Sequence, residues 1–195
     1  MSIVLASNNP GKLAELRLLI APLGLDAVSQ RDLGIASAPE TRATFIENAL
    51  EKARHVSAAA GMPAIADDSG LAVPALGGAP GVRSARYAGE DATDAENNAK
   101  LVAAMADMDD RRASFHCAVV FMRAPDDPVP VVATAAWSGR IVADPRGTGG
   151  FGYDPHFFID ETDCTAAELD PSVKNEISHR GRAMRALCAA LAGVV

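Results

Sequence analysis

Apolar residues along the chain fall into short unbroken runs and helical spacings, and the switches between the two mark its elements. Ile3-Val4-Leu5-Ala6 is a run typical of a buried strand. After Ser7-Asn8-Asn9-Pro10-Gly11-Lys12 come Leu13, Leu16, Leu19, Ile20 and Leu23 at helical spacing. Asn9 can cap this helix, and Pro10 suits its first position, where an N–H would have no partner. Thr44 and Glu47 form a capping-box pattern that opens a second helix. Phe45, Ile46, Ala49, Leu50, Ala53 and Val56 give that helix an apolar face, and Gly61 with Pro63 stops it. Next, Asp67-Asp68 reads as a strand end and Ser69-Gly70 as a turn. Pro74 makes residues 71–76 an edge strand or a short helical turn. Thr93 with Glu96 starts a third helix bearing Ala99, Val102 and Met105. Residues 115–122 and 129–137 read as an antiparallel hairpin joined through Pro125-Asp126-Asp127-Pro128, and residues 156–159 as a short strand. Ala183, Met184, Leu187, Cys188 and Leu191 face inward from a last helix, for which Ser178 is the N-cap.

Against this frame a few polar residues stand out. Adjacent acids between apolar runs, as at Asp67-Asp68, are badly placed for packing, and a strand end opening onto solvent, metal or substrate would explain them. Neighbouring side chains of a strand point to opposite faces. One of the two can therefore face a cleft while the other holds the turn; a purely polar turn is the alternative. The strand, Gly-bearing turn and helix start at Gly11-Lys12 would receive phosphate through free N–H groups and the helix dipole. It is not a P-loop, since one glycine precedes the lysine and no Ser or Thr follows. Lys12 and, at the last helix, His179 and Arg180 are cations at helix starts, where they oppose the dipole. They are either inconsequential exposed charges or the signature of an anionic ligand. Residues 147–155 hold four glycines and two aromatics, Phe151 and Tyr153. Such a loop lets backbone approach a ligand, with Phe151 as a stacking face; a mobile surface loop is the alternative. Glu40, on a loop, and Lys52 would by default be surface residues. His55 and His116 have no partner spacing and read as structural.

Composition narrows the classes. The 195 residues carry 18 Lys+Arg against 25 Asp+Glu, a net charge of −7, which argues against charge-driven binding to nucleic acid or an anionic membrane. Cys117, Cys164 and Cys188 match neither a metal spacing nor a secreted disulfide framework, and the chain shows no signal peptide and no apolar run of membrane-spanning length. A cytoplasmic single domain spanning 1–195 is the expectation.

Five stretches occur in the order of one known family: Ser7-x-Asn9-x-Gly11-Lys12; residues 66–71; residues 78–87; Gly149-Gly150-Phe151-Gly152-Tyr153-Asp154-Pro155; and Lys174-Asn175-x-x-Ser178-His179-Arg180. Over nearly the whole chain the sequence resembles the inosine/xanthosine triphosphate pyrophosphatases, the RdgB/ITPase family of house-cleaning enzymes. The resemblance implies an α/β fold of the Maf/ITPase superfamily, with two lobes around a long mixed β-sheet flanked by helices and a substrate cleft between the lobes. It implies a homodimer and Mg²⁺-dependent hydrolysis of ITP, dITP and XTP to the monophosphate and pyrophosphate. Carried over to this chain, Ser7, Asn8, Asn9, Pro10, Gly11 and Lys12 hold the triphosphate. Asp68 is base and metal ligand, with Glu40 a second candidate ligand. Ser69, Phe151, Gly152, Tyr153, Asp154, Lys174, His179 and Arg180 contact substrate. Within that reading Phe151 stacks on the purine and Lys174, His179 or Arg180 aims a donor at its 6-oxo group, with Arg180 the expected reader of the 6-position. A non-hydrolytic purine nucleotide sensor is the alternative from another class, and a phosphatase releasing orthophosphate is a third.

Overall fold

The computed structural model of the protein describes residues 2–21 and 24–192; Leu23, assigned above to the first helix, lies outside the described residues. The described residues form seven strands: β1 (Ser2–Leu5), β2 (Asp26–Ser29), β3 (Ala64–Ala72), β4 (Arg112–Met122), β5 (Val131–Ile141), β6 (Phe157–Ile159) and β7 (Cys164–Thr165). They form one sheet in the order β2-β1-β3-β4-β5-β6-β7. It is mixed: β1 runs parallel to β2 and β3, whereas β6 runs antiparallel to β5 and β7. Among the described residues five α-helices accompany it: α1 (Pro10–Ile20), α2 (Phe45–Ala60), α3 (Asp94–Ala104), α4 (Pro171–Ile177) and α5 (His179–Leu191). Among the described residues no helix is long and apolar enough to cross a membrane.

Local chemistry sets the helix ends. The Asn9 side chain accepts the Lys12 N–H with Pro10 in the first turn of α1, Thr44 accepts the Glu47 N–H at α2, and Thr93 and Glu96 close a full capping box at α3. Gly61 ends α2 at φ 63°, a left-handed conformation that glycine adopts without steric cost.

Chain contacts divide the molecule into two units. The first comprises Met1–Asp68, Cys117–Ala135 and Arg180–Val195. It has a core on each face of its strands. On one face Ile3, Leu5, Ile65 and Val119 pack against Leu13, Leu16 and Ile20 of α1 and Ala183, Met184 and Leu187 of α5. On the other, Val4, Ala64, Ala66 and Val120 pack against Ala49, Ala53 and Val56 of α2. The second unit comprises Ser69–His116 and Ala136–His179. Its core gathers Leu71, Leu101, Met105, Phe115, Trp137, Tyr153 and Phe157.

Three expectations are corrected. No turn forms at Ser69-Gly70: β3 continues through both to Ala72, and the chain turns only at the 3₁₀ segment Pro74–Leu76, closed by Gly77 at φ 64°. Burial of residues on both sides of Ser69-Gly70 overrides the local turn preference of these small residues. The inward face of α2 excludes Ile46, which is 42% exposed, and that of α3 consists of Asn97, Asn98, Leu101 and Met105, with Ala99 exposed. The short strand expected at residues 156–159, β6, begins at Phe157, because His156 closes a 3₁₀ turn from Asp154.

Candidate active site

Alternation along β3 sends its two acids to opposite faces of the first unit. Asp67 joins the α1/α5 face and Asp68 the α2 face, although both are buried. On the α2 face Asp68 Oδ1 accepts from Lys52 Nζ at 3.1 Å and Oδ2 from Asn48 Nδ2 at 3.1 Å. Asn48 and Lys52 are one helical turn apart on α2, so both reach the same carboxylate. Asn48 is itself fixed, its side-chain oxygen accepting the Arg42 N–H at 2.9 Å. Lys52 Nζ also donates to Glu40 Oε1 at 2.8 Å. The ammonium thus sits against two carboxylates, Asp68 and Glu40, the second partly open to solvent.

The electrostatics follow from this arrangement. Burial holds the Asp68 carboxyl above its ordinary value; the Lys52 and Lys12 ammonium groups pull it down and Glu40 pushes it up, and the balance remains upward. Burial would lower Lys52, but the carboxylates of Asp68, Asp67 and Glu40 outweigh it and keep the lysine firmly charged.

The opposite face is different in kind. Asp67 Oδ2 lies 3.3 Å from Lys12 Nζ and 3.3 Å from Arg180 Nε. Arg180 Nη1 in turn donates to Glu15 Oε2 at 2.6 Å. Burial opposes ionisation of Asp67, yet Lys12, Arg180 and Lys52 overcome it and hold its carboxyl well below the usual range. Its role is to tie α1 and α5 together by charge rather than to support a turn. The cations at two helix starts therefore find a common anion inside the chain, in Asp67. Nearby, burial and the Asp67 charge push the Cys117 thiol up to about 12, which leaves it inert.

The start of α1 is only partly open to a ligand. Ser7 Oγ accepts the Asn9 N–H at 3.3 Å, Asn9 Oδ1 takes the Lys12 N–H, and Pro10 has none. Gly11 is left as the N–H donor of that turn, beside the partly exposed Lys12 side chain. Asn8 instead donates to Ser37 Oγ at 2.7 Å.

The remaining sequence candidates belong to the second unit. Ser69 is half-buried in β3. Lys174, on α4, pairs with Asp154 and lies 5.1 Å from the centroid of the Phe151 ring. Asp154 Oδ2 also accepts the Phe151 N–H at 2.8 Å. Gly150 must be glycine there: its φ is +73°, and a Cβ would collide with the Asp154 carboxylate. Tyr153 is buried and donates to the Ser84 carbonyl at 2.7 Å. The loop is therefore built rather than slack. His179 stacks on Phe115, with centroids 4.7 Å apart and planes 8° apart, inside the aromatic cluster of Trp137 and Phe157. His55 Nε2 lies 2.9 Å from the Ala36 carbonyl, consistent with a structural role. Sequence reasoning missed Asn48, Glu15 and the role of Lys52, which it left at the surface although its side chain is only 11% exposed.

Curated relatives share this chain nearly end to end. A protein of Burkholderia pseudomallei named dITP/XTP pyrophosphatase is 57% identical over 192 residues, covering 97% of this chain and 92% of its own length. One of the same name from Escherichia coli K12 is 55% identical, covering 97% of each. Among solved structures, a HAM1 protein from Coxiella burnetii superposes with a TM-score of 0.93 at 48% identity over the full length of both chains. A nucleoside-triphosphatase, or dITP/XTP pyrophosphatase, of Mycobacterium abscessus does so with a TM-score of 0.76 at 44% identity, covering 96% of this chain and 97% of its own. The model of the Ham1 family matches residues 3–190, and the chain belongs to that family.

Proposed function

We propose that the protein hydrolyses deaminated purine nucleoside triphosphates, ITP, dITP and XTP, to the nucleoside monophosphate and pyrophosphate. The observation that carries the reading is Asp68, a buried carboxylate of raised proton affinity, held in a fixed direction by Lys52 and Asn48 beside Glu40. A carboxylate so held can orient a water molecule and take its proton as the water attacks phosphorus. Lys52 keeps the carboxylate from rotating and offsets the charge of two acids. Gly11 and Lys12 offer an N–H and an ammonium to the phosphate chain. A pure binding protein would gain nothing from an acid at the reacting phosphate, so the sensor reading is not favoured.

The donor set fits Mg²⁺. Asp68 and Glu40 supply hard carboxylate oxygens near one another, and Mg²⁺ takes one or two carboxylates with the rest from water and phosphate. Among the described residues no group of three or more His, Cys, Asp and Glu side chains is disposed to hold a metal alone. That suits a cation shared with the substrate. When bound, the ion would neutralise phosphate charge and polarise the phosphoryl oxygens.

To the second unit we assign the base. Phe151 offers a stacking face, and Lys174 a donor for the 6-oxo group that distinguishes hypoxanthine and xanthine from adenine. Arg180, 3% exposed and bonded to Asp67 and Glu15, is assigned to support of the Asp67 face rather than to reading the base. The test is of products. With Mg²⁺, ITP should give IMP and pyrophosphate in one step and chelation should stop turnover, whereas IDP and orthophosphate as first products would overturn the reading.

A further inference from the structure

Gly152 lies between Phe151 and Tyr153, and its peptide sets the direction in which Phe151 leaves the loop. Both neighbours are anchored: the Phe151 N–H to Asp154, the Tyr153 hydroxyl to the Ser84 carbonyl. Gly152 has φ +63°, and nothing lies within 4 Å of where a Cβ would stand, so no side chain of its own can anchor it. Two side chains of α3 grip it instead. Asp94 Oδ2 accepts the Gly152 N–H at 2.6 Å, and Asn98 Nδ2 donates to the Gly152 carbonyl at 2.8 Å.

Asp94 is not used to cap its own helix. The capping box of α3 is completed by Thr93 and Glu96, whose carboxylate accepts the Thr93 N–H at 2.7 Å. Asp94, at the first position of α3, turns away to the loop. We propose that Asp94, backed by Asn98, is a positioning residue for base recognition: it fixes the Gly152 peptide and so the ring plane that Phe151 presents to a purine. The inference rests on the functional reading above and adds the group that makes the aromatic platform rigid. A hydrogen bond to a carboxylate is the strong kind, so its loss would free the Gly152 peptide next to Phe151.

The test compares Asp94→Ala and Asp94→Asn in the full chain, with ITP as substrate and inorganic tripolyphosphate, which has no base, as competitive inhibitor. Removing one charge-assisted bond should raise the KM for ITP about tenfold in Asp94→Ala with kcat within about twofold. Asp94→Asn retains an oxygen that can accept the Gly152 N–H, and its KM should stay within about threefold of the parent. The inhibition constant of tripolyphosphate should not change in either variant. An unchanged KM in Asp94→Ala, an equal loss of tripolyphosphate affinity, or an Asn variant as impaired as Ala would overturn the proposal. A parent protein that does not turn over ITP would instead bring down the functional reading, so the two failures are distinguishable.

Discussion

Asp67 faces Lys12 and Arg180; Asp68, one residue later on β3, faces Lys52 and Asn48. Both are buried aspartates in one strand, but the ion pairs around them differ in balance. On the α1/α5 face two cations, Lys12 and Arg180, meet two acids, Asp67 and Glu15. On the α2 face one ammonium, Lys52, is set against two acids, Asp68 and Glu40. A carboxylate between two cations is stable when ionised and has little tendency to take a proton. One that shares its bonded cation with a second acid holds its proton more tightly and attracts further positive charge. The comparison teaches that burial alone does not mark a reactive acid. What marks it is burial with incomplete compensation.

The largest effect should come from removing the reactive charge. Asp68→Asn should lower ITP turnover by on the order of 10²-fold or more, because the proposed base and a proposed metal ligand go together. Steady-state kinetics on folded protein checks this, and near-normal turnover would break the contrast. On the other face the same change should strike stability. Asp67→Asn leaves Lys12 and Arg180 facing a neutral amide, and breaking a buried pair costs about 3–5 kcal/mol. Denaturant unfolding reads it.

The two acids also differ in how they link stability to pH. The folded-state pKa of Asp67 is depressed below its ordinary value of 3.8, so its contribution is full above that value and is lost as pH falls below it. Asp68 is raised above 3.8, so in metal-free protein the native state holds its proton longer than the unfolded chain. Stability contributed at Asp68 therefore falls as pH rises from 3.8 toward the folded value. The smallest effect expected is on metal affinity. Lys52→Met leaves Asp68 and Glu40 without their shared ammonium, and Mg²⁺ should bind the free protein about tenfold more tightly. Calorimetry that showed weaker binding would mean that the two carboxylates do not share a cation.

Much of this frame was legible in the sequence. The caps of α1, α2 and α3 follow from Asn9, Thr44 and Thr93. What the sequence hid was polar, not apolar. On α2 the positions 45, 48, 49, 52, 53 and 56 follow helical spacing, and Asn48 and Lys52 occupy two of them. A search for apolar residues took Ile46 in their place, although Ile46 is 42% exposed. On α3 the same oversight chose Ala99 over Asn97 and Asn98. Polar residues on the inward stripe of a helix were the available signal in both cases. The course of β3 through Ser69-Gly70 carried no such signal, because tertiary burial decides it against local turn preference. Strand β2, with only two apolar residues, and α4, seven residues long, were too short to show a period.

The central claim is that Asp68 is kept for chemistry and Asp67 for the fold, and the stability of Asp68→Asn tests it most directly. The new amide can point its oxygen at Lys52 or at Asn48 but not at both, so one hydrogen bond is lost, while Glu40 still pairs with the Lys52 ammonium. Urea unfolding of metal-free protein at neutral pH should therefore place Asp68→Asn within about 1 kcal/mol of the parent, while its turnover of ITP falls by on the order of 10²-fold or more. An Asp68→Asn protein destabilised as much as Asp67→Asn would contradict the account, since Asp68 would then be a structural acid like its neighbour.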